Sequence, residues 1–256
     1  MREKVMKKII VPDYYKNFKC IANRCKHTCC KGWEVEIDDE SLVRFSSYPD
    51  IMKHVETTDD THFRLIEEET CPFLLENGYC DMIIKYGEEM LCQTCTDHPR
   101  FRNYWGDRIE MGLGLVCEEA ARIILSSPTP MKLVELAVYD EEEEEMTDGE
   151  IWLLGYRDKL LSEITEEGHL ARLQEYLIYR NIPDALYDDR VEERVYFIDY
   201  FLDKTKKAWA DTEGTIDDLC EIVRQLSYDL EYDDEEKEKI FNSYSANYSV
   251  SIYCGK

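Results

Sequence analysis

The chain holds 256 residues, 44% of them hydrophobic and 34% charged, with a formal net charge of −25 at pH 7. That length accommodates one large or two modest domains with a buried core, and the hydrophobic share is that of an ordinary globular protein. So acidic a chain is a poor partner for the phosphate backbone of nucleic acid, and no apolar run approaches the ~18 residues that a membrane span needs.

After the basic stretch Met1 to Lys8, only Ile9, Ile10 and Val11 precede Pro12. That is too short for a secretory h-region, so a cytoplasmic location is expected. Charge is uneven along the chain. Residues 1–127 carry 17 Lys/Arg and 23 Asp/Glu, a net of −6, and residues 128–256 carry 14 and 33, a net of −19. The excess acid suits a cationic partner such as a lysine-rich protein, or simply keeps the chain in solution.

In chain order, residues 12–19 read as extended, with Tyr14 and Phe18 available to pack. The stretch Cys20 to Cys30, CIANRCKHTCC, then places Cys20, Cys25, Cys29 and Cys30 within eleven residues around His27. Trp33, Val35 and Ile37 alternate with Glu34, Glu36 and Asp38, the period-2 pattern of a half-buried strand. Asp38 or Asp39 is positioned to cap a helix that runs to about Tyr48 and stops at Pro49. Residues 50–69 are polar and carry no clear period.

Cys71 and Cys80 flank a turn at Asn77-Gly78. Cys92 and Cys95 form a CQTC unit followed at once by Asp97, His98, Pro99 and Arg100. Residues 108–116 read as a strand, and Cys117 opens a helix through Leu125, with Glu118 and Glu119 at its positive end. SSPTP at 126–130 is the expected boundary, and the acidic run Asp140 to Glu145 reads as a solvated linker. Beyond it, Val191, Val195, Ile198, Leu202, Thr205 and Trp209 form one helical stripe, and Ile216, Leu219, Val223, Leu226 and Leu230 form another. Both stripes read as core.

The expected architecture is mainly α. A cysteine-rich N-terminal metal-cluster lobe with short strands, residues 1–127, precedes an acidic helical lobe, residues 128–256. Nine of the 11 cysteines lie in the first half. In a reducing compartment such clustering points to metal ligation rather than disulfides. The spacings Cys20-x4-Cys25, Cys25-x3-Cys29 and Cys92-x2-Cys95 suit zinc or an iron–sulfur centre without choosing between them. Adjacent residues point in different directions. Cys29 and Cys30 therefore either serve two centres or a bridged one, or one is a ligand and the other is packing. Cys92 and Cys95 also fit a dithiol redox sensor, which requires both thiols to be exposed and reactive. His27 and His98 flank ligand candidates, Cys220 reads as core and Cys254 as a tail thiol. GLG at 112–114 is too short for a dinucleotide fingerprint.

FKCIANRCKHTCCKGWEVEID at 18–38, CPFLLENGYC at 71–80, LCQTCTDHPR at 91–100 and LVCEEAARIIL at 115–125 together resemble the flagellin lysine N-methylase family, a branch of the CxxCxxCC cysteine-cluster proteins. The chain looks like a short member, and QEYLIYRNI and QLSYDLEYDDEE look like further family landmarks. The resemblance implies eight cysteine ligands, Cys20, Cys25, Cys29, Cys30, Cys71, Cys80, Cys95 and Cys117, with Cys92 as an extra. It implies one or two 4Fe–4S clusters, with zinc the alternative metal, and methyl transfer from S-adenosylmethionine to lysines of flagellin or a similar protein. Arg100 is the candidate for the cofactor's carboxylate. Glu110, Glu118 and Glu119 are candidates for taking the proton that a lysine must lose, and no catalytic residue is assigned. The alternative is a metal-stapled binding module for a basic protein.

Overall fold

The computed structural model describes residues 6–232 except 59, 128, 143 and 189. Cys254 and the end of the QLSYDLEYDDEE landmark lie outside the described residues. In chain order the elements are β1 (Met6–Pro12), α1 (Asp39–Phe45), α2 (Pro49–Met52), β2 (Val55–Thr57), β3 (Thr61–Phe63), α3 (Asp81–Tyr86) and α4 (Gln93–Asp97). There follow β4 (Arg100–Tyr104), β5 (Arg108–Leu113), α5 (Glu118–Ser126), β6 (Leu133–Glu142), α6 (Asp148–Ser162), α7 (Gly168–Asn181), α8 (Ala185–Asp188), α9 (Val191–Ala210) and α10 (Ile216–Tyr232). The fold is mainly helical, as expected. No described helix is long and apolar enough to cross a membrane.

The chain forms two compact units, one from residues 19–100 and one from the flanking segments 1–18 and 101–256. The expected single break after residue 127 is therefore replaced by a cysteine-rich unit inserted within the other. The physical reason is pairing between distant segments. β1 pairs in parallel with β5 and antiparallel with β6, giving the sheet order β4-β5-β1-β6. α5 ends at the expected boundary but packs on α7 and α10, so both sides of residue 127 share one core.

β6 also corrects the reading of 140–145 as a linker. Its residues 133–142 run along β1 from Pro12 to Met6, and the acidic stretch begins inside the strand. Beside this sheet, a large helical core gathers Ile124, Leu125, Leu173, Leu177, Phe201, Leu219 and Val223. The stripes of α9 and α10 supply Val191, Ile198, Leu202, Thr205, Leu219, Val223 and Leu230 to the buried set, as their spacing predicts. Arg172 of α7 donates from Nε to the Ile124 carbonyl at 3.1 Å and from Nη2 to Asp13 at 3.2 Å, fastening α5 and the end of β1 to one helix. The GLG stretch has a packing role: a Cβ on Gly112 would collide with the ring of Phe101.

In the unit of residues 19–100, Trp33 to Ile37 is extended but forms only isolated bridges. Ile37 N donates to Thr61 O at 2.8 Å and Phe63 N to Val35 O at 3.1 Å, so the segment lies along β3. The alternation still sets burial, with Val35 and Ile37 inside and Glu34 and Glu36 outside. The unreadable residues 50–69 supply the β2–β3 hairpin, too short to show a period. The core of this unit includes Val35, Ile37, Phe45, Ile51, Phe63, Phe73, Met82 and Met90, together with Cys71 and Cys92.

Candidate metal centre

Backbone pairing places the first thiols. Cys71 N donates to the Cys30 carbonyl at 2.8 Å and Gly32 N to the Glu69 carbonyl at 3.0 Å, with Lys31 bridged to Thr70. The turn at Asn77-Gly78 then folds the chain back, Leu74 bridging Cys80, with Gly78 at φ +79°. Only glycine adopts that φ cheaply. Cys30 is thus brought beside Cys71 and Cys80, the two ends of one turn some forty residues further along.

The CQTC unit is fixed by Asp38. One of its oxygens accepts from Ser41 N at 2.9 Å, capping α1, and the other accepts from Ser41 Oγ at 2.7 Å and from Gln93 N at 2.8 Å. Arg44 of the same helix donates to the Leu91 carbonyl at 2.9 Å. Burial by itself raises the Asp38 carboxyl, but the hydrogen bonds from Gln93 and Ser41 outweigh it and hold the group at about 2. The cap of α1 is therefore also the anchor of the loop that carries Cys92.

The thiols of this unit respond to one another. A hydrogen bond from the Cys29 thiol, against opposing burial, draws Cys30 down to about 7. The Cys95 thiol donates likewise to Cys92, which also falls to about 7, while Cys95 as donor is driven up. Burial pushes Cys71 up to about 12, and neighbouring Cys30, Cys80 and Cys92 add to the rise. Cys80 is raised by burial first, with Cys30 contributing. Cys30, Cys71, Cys80, Cys92 and Cys95 thus lie near enough to act on one another, with Cys29 hydrogen-bonded to Cys30.

Two further candidates lie in the same unit and one in the other. Cys20 is exposed and accepts from Ala22 N at 3.4 Å, and Cys25 donates to the His27 carbonyl at 2.9 Å. Cys117 is the N-cap residue of α5, in the other unit. Cys92, read from the sequence as an extra, is fully buried in the core of its unit. That burial also removes the exposed dithiol on which the redox-sensor reading depends.

Soft thiolates are the donor chemistry that zinc and iron–sulfur centres use. The donor types fit such a group. Among the described residues, however, no three His, Cys, Asp or Glu side chains converge in a geometry that holds a metal ion.

Comparison with known proteins gives a partial likeness. A lysine-N-methylase of Salmonella choleraesuis is 26% identical over 152 residues, 53% of this chain and 37% of that protein, and its Salmonella typhimurium counterpart matches equally. The flagellar biosynthetic protein FliU of Salmonella muenchen is 27% identical over 144 residues, 51% of this chain and 85% of that one. Over about half its length the chain is thus similar to proteins named lysine-N-methylase and flagellar biosynthetic protein. It spans little more than a third of the length of the two lysine-N-methylases. No family model matches, and no solved structure matches.

The candidate proton acceptors are engaged elsewhere. Glu110 is buried and grips Arg157 at 2.5 and 3.0 Å, with Arg108 Nε at 3.3 Å. Glu119 holds Arg122 at 2.6 and 2.7 Å within α5, and Glu118 stands in the first turn of that helix. Arg100 Nη1 donates to the Thr96 carbonyl at 3.1 Å, at the end of α4. His98 lies against Trp33, ring centroids 6.4 Å apart, and burial first and Arg100 second lower its basicity.

Proposed function

We propose that the chain is a lysine N-methyltransferase acting on a flagellin-like protein, with S-adenosylmethionine as methyl donor and an iron–sulfur cluster held by thiolates of residues 19–100. The observation that carries this reading is the soft donor set of Cys30, Cys71, Cys80, Cys92 and Cys95, in a chain related to lysine-N-methylases. These five, with Cys29, would hold the group. When bound, an iron–sulfur cluster supplies electron-transfer chemistry tuned by the hydrogen bonds and burial around its sulfurs.

The acceptor nitrogen has its own requirement. A lysine, with an ordinary pKa of ~10.4, must lose a proton before its lone pair is available. The names of the relatives, lysine-N-methylase and a flagellar biosynthetic protein, support a lysine of a flagellar protein as the acceptor.

The test is anaerobic purification with iron, sulfide and zinc quantified beside the visible spectrum, followed by labelled S-adenosylmethionine and monomeric flagellin. Roughly four iron and four sulfide per cluster, with label on flagellin lysines, is the expected result. Stoichiometric zinc without iron under strict anaerobiosis would overturn the iron–sulfur reading. It would favour instead a metal-stapled binding module. The placement of Cys71 and Cys92 inside the core of their unit supports that second reading, because a metal there would brace the fold.

A further inference from the structure

Helix α6 carries apolar residues on two faces. Leu153 and Leu154 are buried, yet Ile151 is 53% and Trp152 59% exposed on the opposite side. Trp152 and Tyr156, four residues apart, stack with ring centroids 5.4 Å apart and planes 11° from parallel. Between them lies Gly155, at an exposed position where an added Cβ would meet nothing within 4 Å. Glycine inside a helix is unfavourable relative to alanine, and nothing within the described fold requires it here. A bare backbone on an outer face, walled by two stacked rings, instead permits close approach from outside.

The surroundings are acidic. Asp148 and Asp158 are exposed on the same helix, and Glu144 and Glu145 are exposed just before it. Glu150 is already engaged, accepting from Thr147 N at 2.7 Å and Gly106 N at 2.9 Å. Among the described residues of α6, Lys159 is the exposed cation, and Glu163 lies 3.8 Å from it. Aromatic faces attract ammonium and guanidinium groups, and carboxylates around the rim reinforce the same preference.

We propose that the Ile151–Trp152–Gly155–Tyr156 face of α6 docks a lysine-bearing segment of the protein substrate, a cationic side chain lying over the stacked rings and the segment's backbone over Gly155. This deepens the functional reading above and rests on it for the identity of the partner, while the surface itself stands on exposure, stacking and charge.

The experiment measures binding of a fluorescent synthetic lysine-rich peptide to the full chain by anisotropy, beside the same peptide with glutamate for lysine. The lysine peptide binds, more weakly as salt rises, and the glutamate peptide does not. Trp152→Ala weakens binding about tenfold with an unchanged circular dichroism spectrum, in keeping with an aromatic anchor. Gly155→Ala weakens it too, while raising the melting temperature by roughly 2–4 °C. Unchanged affinity in both variants, equal binding of the glutamate peptide, or no binding of the lysine peptide would each overturn the proposal. So would self-association of the wild type that Trp152→Ala abolishes, since a second copy would then be the occupant. Flagellin methylation unaffected by Trp152→Ala would refute the docking surface alone. Trp152-dependent peptide binding without any methyl transfer would refute the functional reading alone.

Discussion

Replacing Glu110 with alanine tests whether this carboxylate is part of the chemistry or part of the fold. Glu110 is 1% exposed and Arg157 4%, and their paired hydrogen bonds measure 2.5 and 3.0 Å. The Arg157 guanidinium also stands 5.7 Å from the ring centre of Trp105 and 5.5 Å from that of Tyr179. Tyr179 is in turn bonded through its hydroxyl to the Met111 carbonyl at 3.1 Å. Deleting the carboxylate leaves a buried cation with aromatic faces but no counter-charge. Breaking one side of a buried ion pair costs about 3–5 kcal/mol, because the remaining charge is desolvated without compensation. At 2–4 °C per kcal/mol for a unit of this size, the melting temperature should fall by roughly 6–20 °C. Arg108, at 3.3 Å, cannot rescue the site, because a second cation offers Arg157 no counter-charge. The double variant Glu110→Leu, Arg157→Met removes both charges and should recover most of the loss. The assay is thermal and urea unfolding of the three proteins. A Glu110→Ala loss below about 1 kcal/mol, or a double variant no better than the single, would refute the reasoning.

Asp38→Ala removes the cap of α1 and the anchor of Gln93 together and should cost about 1–2 kcal/mol in urea unfolding. The carboxyl of Asp38 is held at about 2, below its unfolded value of ~3.9, so its stabilisation is complete above that value and is lost as pH falls through about 2. Near-ultraviolet circular dichroism between pH 5 and pH 1.5 should show the wild type losing that margin and Asp38→Ala having none to lose. Gly78→Ala places a Cβ 3.1 Å from Asn23 at a φ of +79° and should destabilise the cysteine unit by roughly 1–2 kcal/mol, read from urea midpoints. Cys92→Ala should lower bound metal as far as Cys95→Ala does, with Cys220→Ala as an unaffected control; equal metal content in Cys92→Ala and wild type would return Cys92 to packing alone.

Several features of this protein were legible without coordinates because their causes are local. The stripes of α9 and α10 repeat every three or four residues, so burial follows from the period alone. Asp38 caps α1 and Gly78 turns the chain between Cys71 and Cys80, each through chemistry contained within a few residues. The density of cysteines declared soft-ligand chemistry at once, since residue type sets donor softness.

Tertiary structure decided the rest, and in each case the cause lies far away in sequence. The acidic residues at the end of β6 belong to a strand because β1, about 130 residues earlier, supplies its hydrogen bonds. The division of the chain follows from that same pairing, which draws the N-terminal strand past the cysteine unit to β5 and β6. Glu110 read as a free carboxylate until Arg157 was brought against it from 47 residues away. Cys92 read as surplus, and only the fold shows it buried in the core of its unit with its thiol beside that of Cys95. The sequence alone declared which donors are present. Which of them meet depends on long-range pairings that no local pattern encodes.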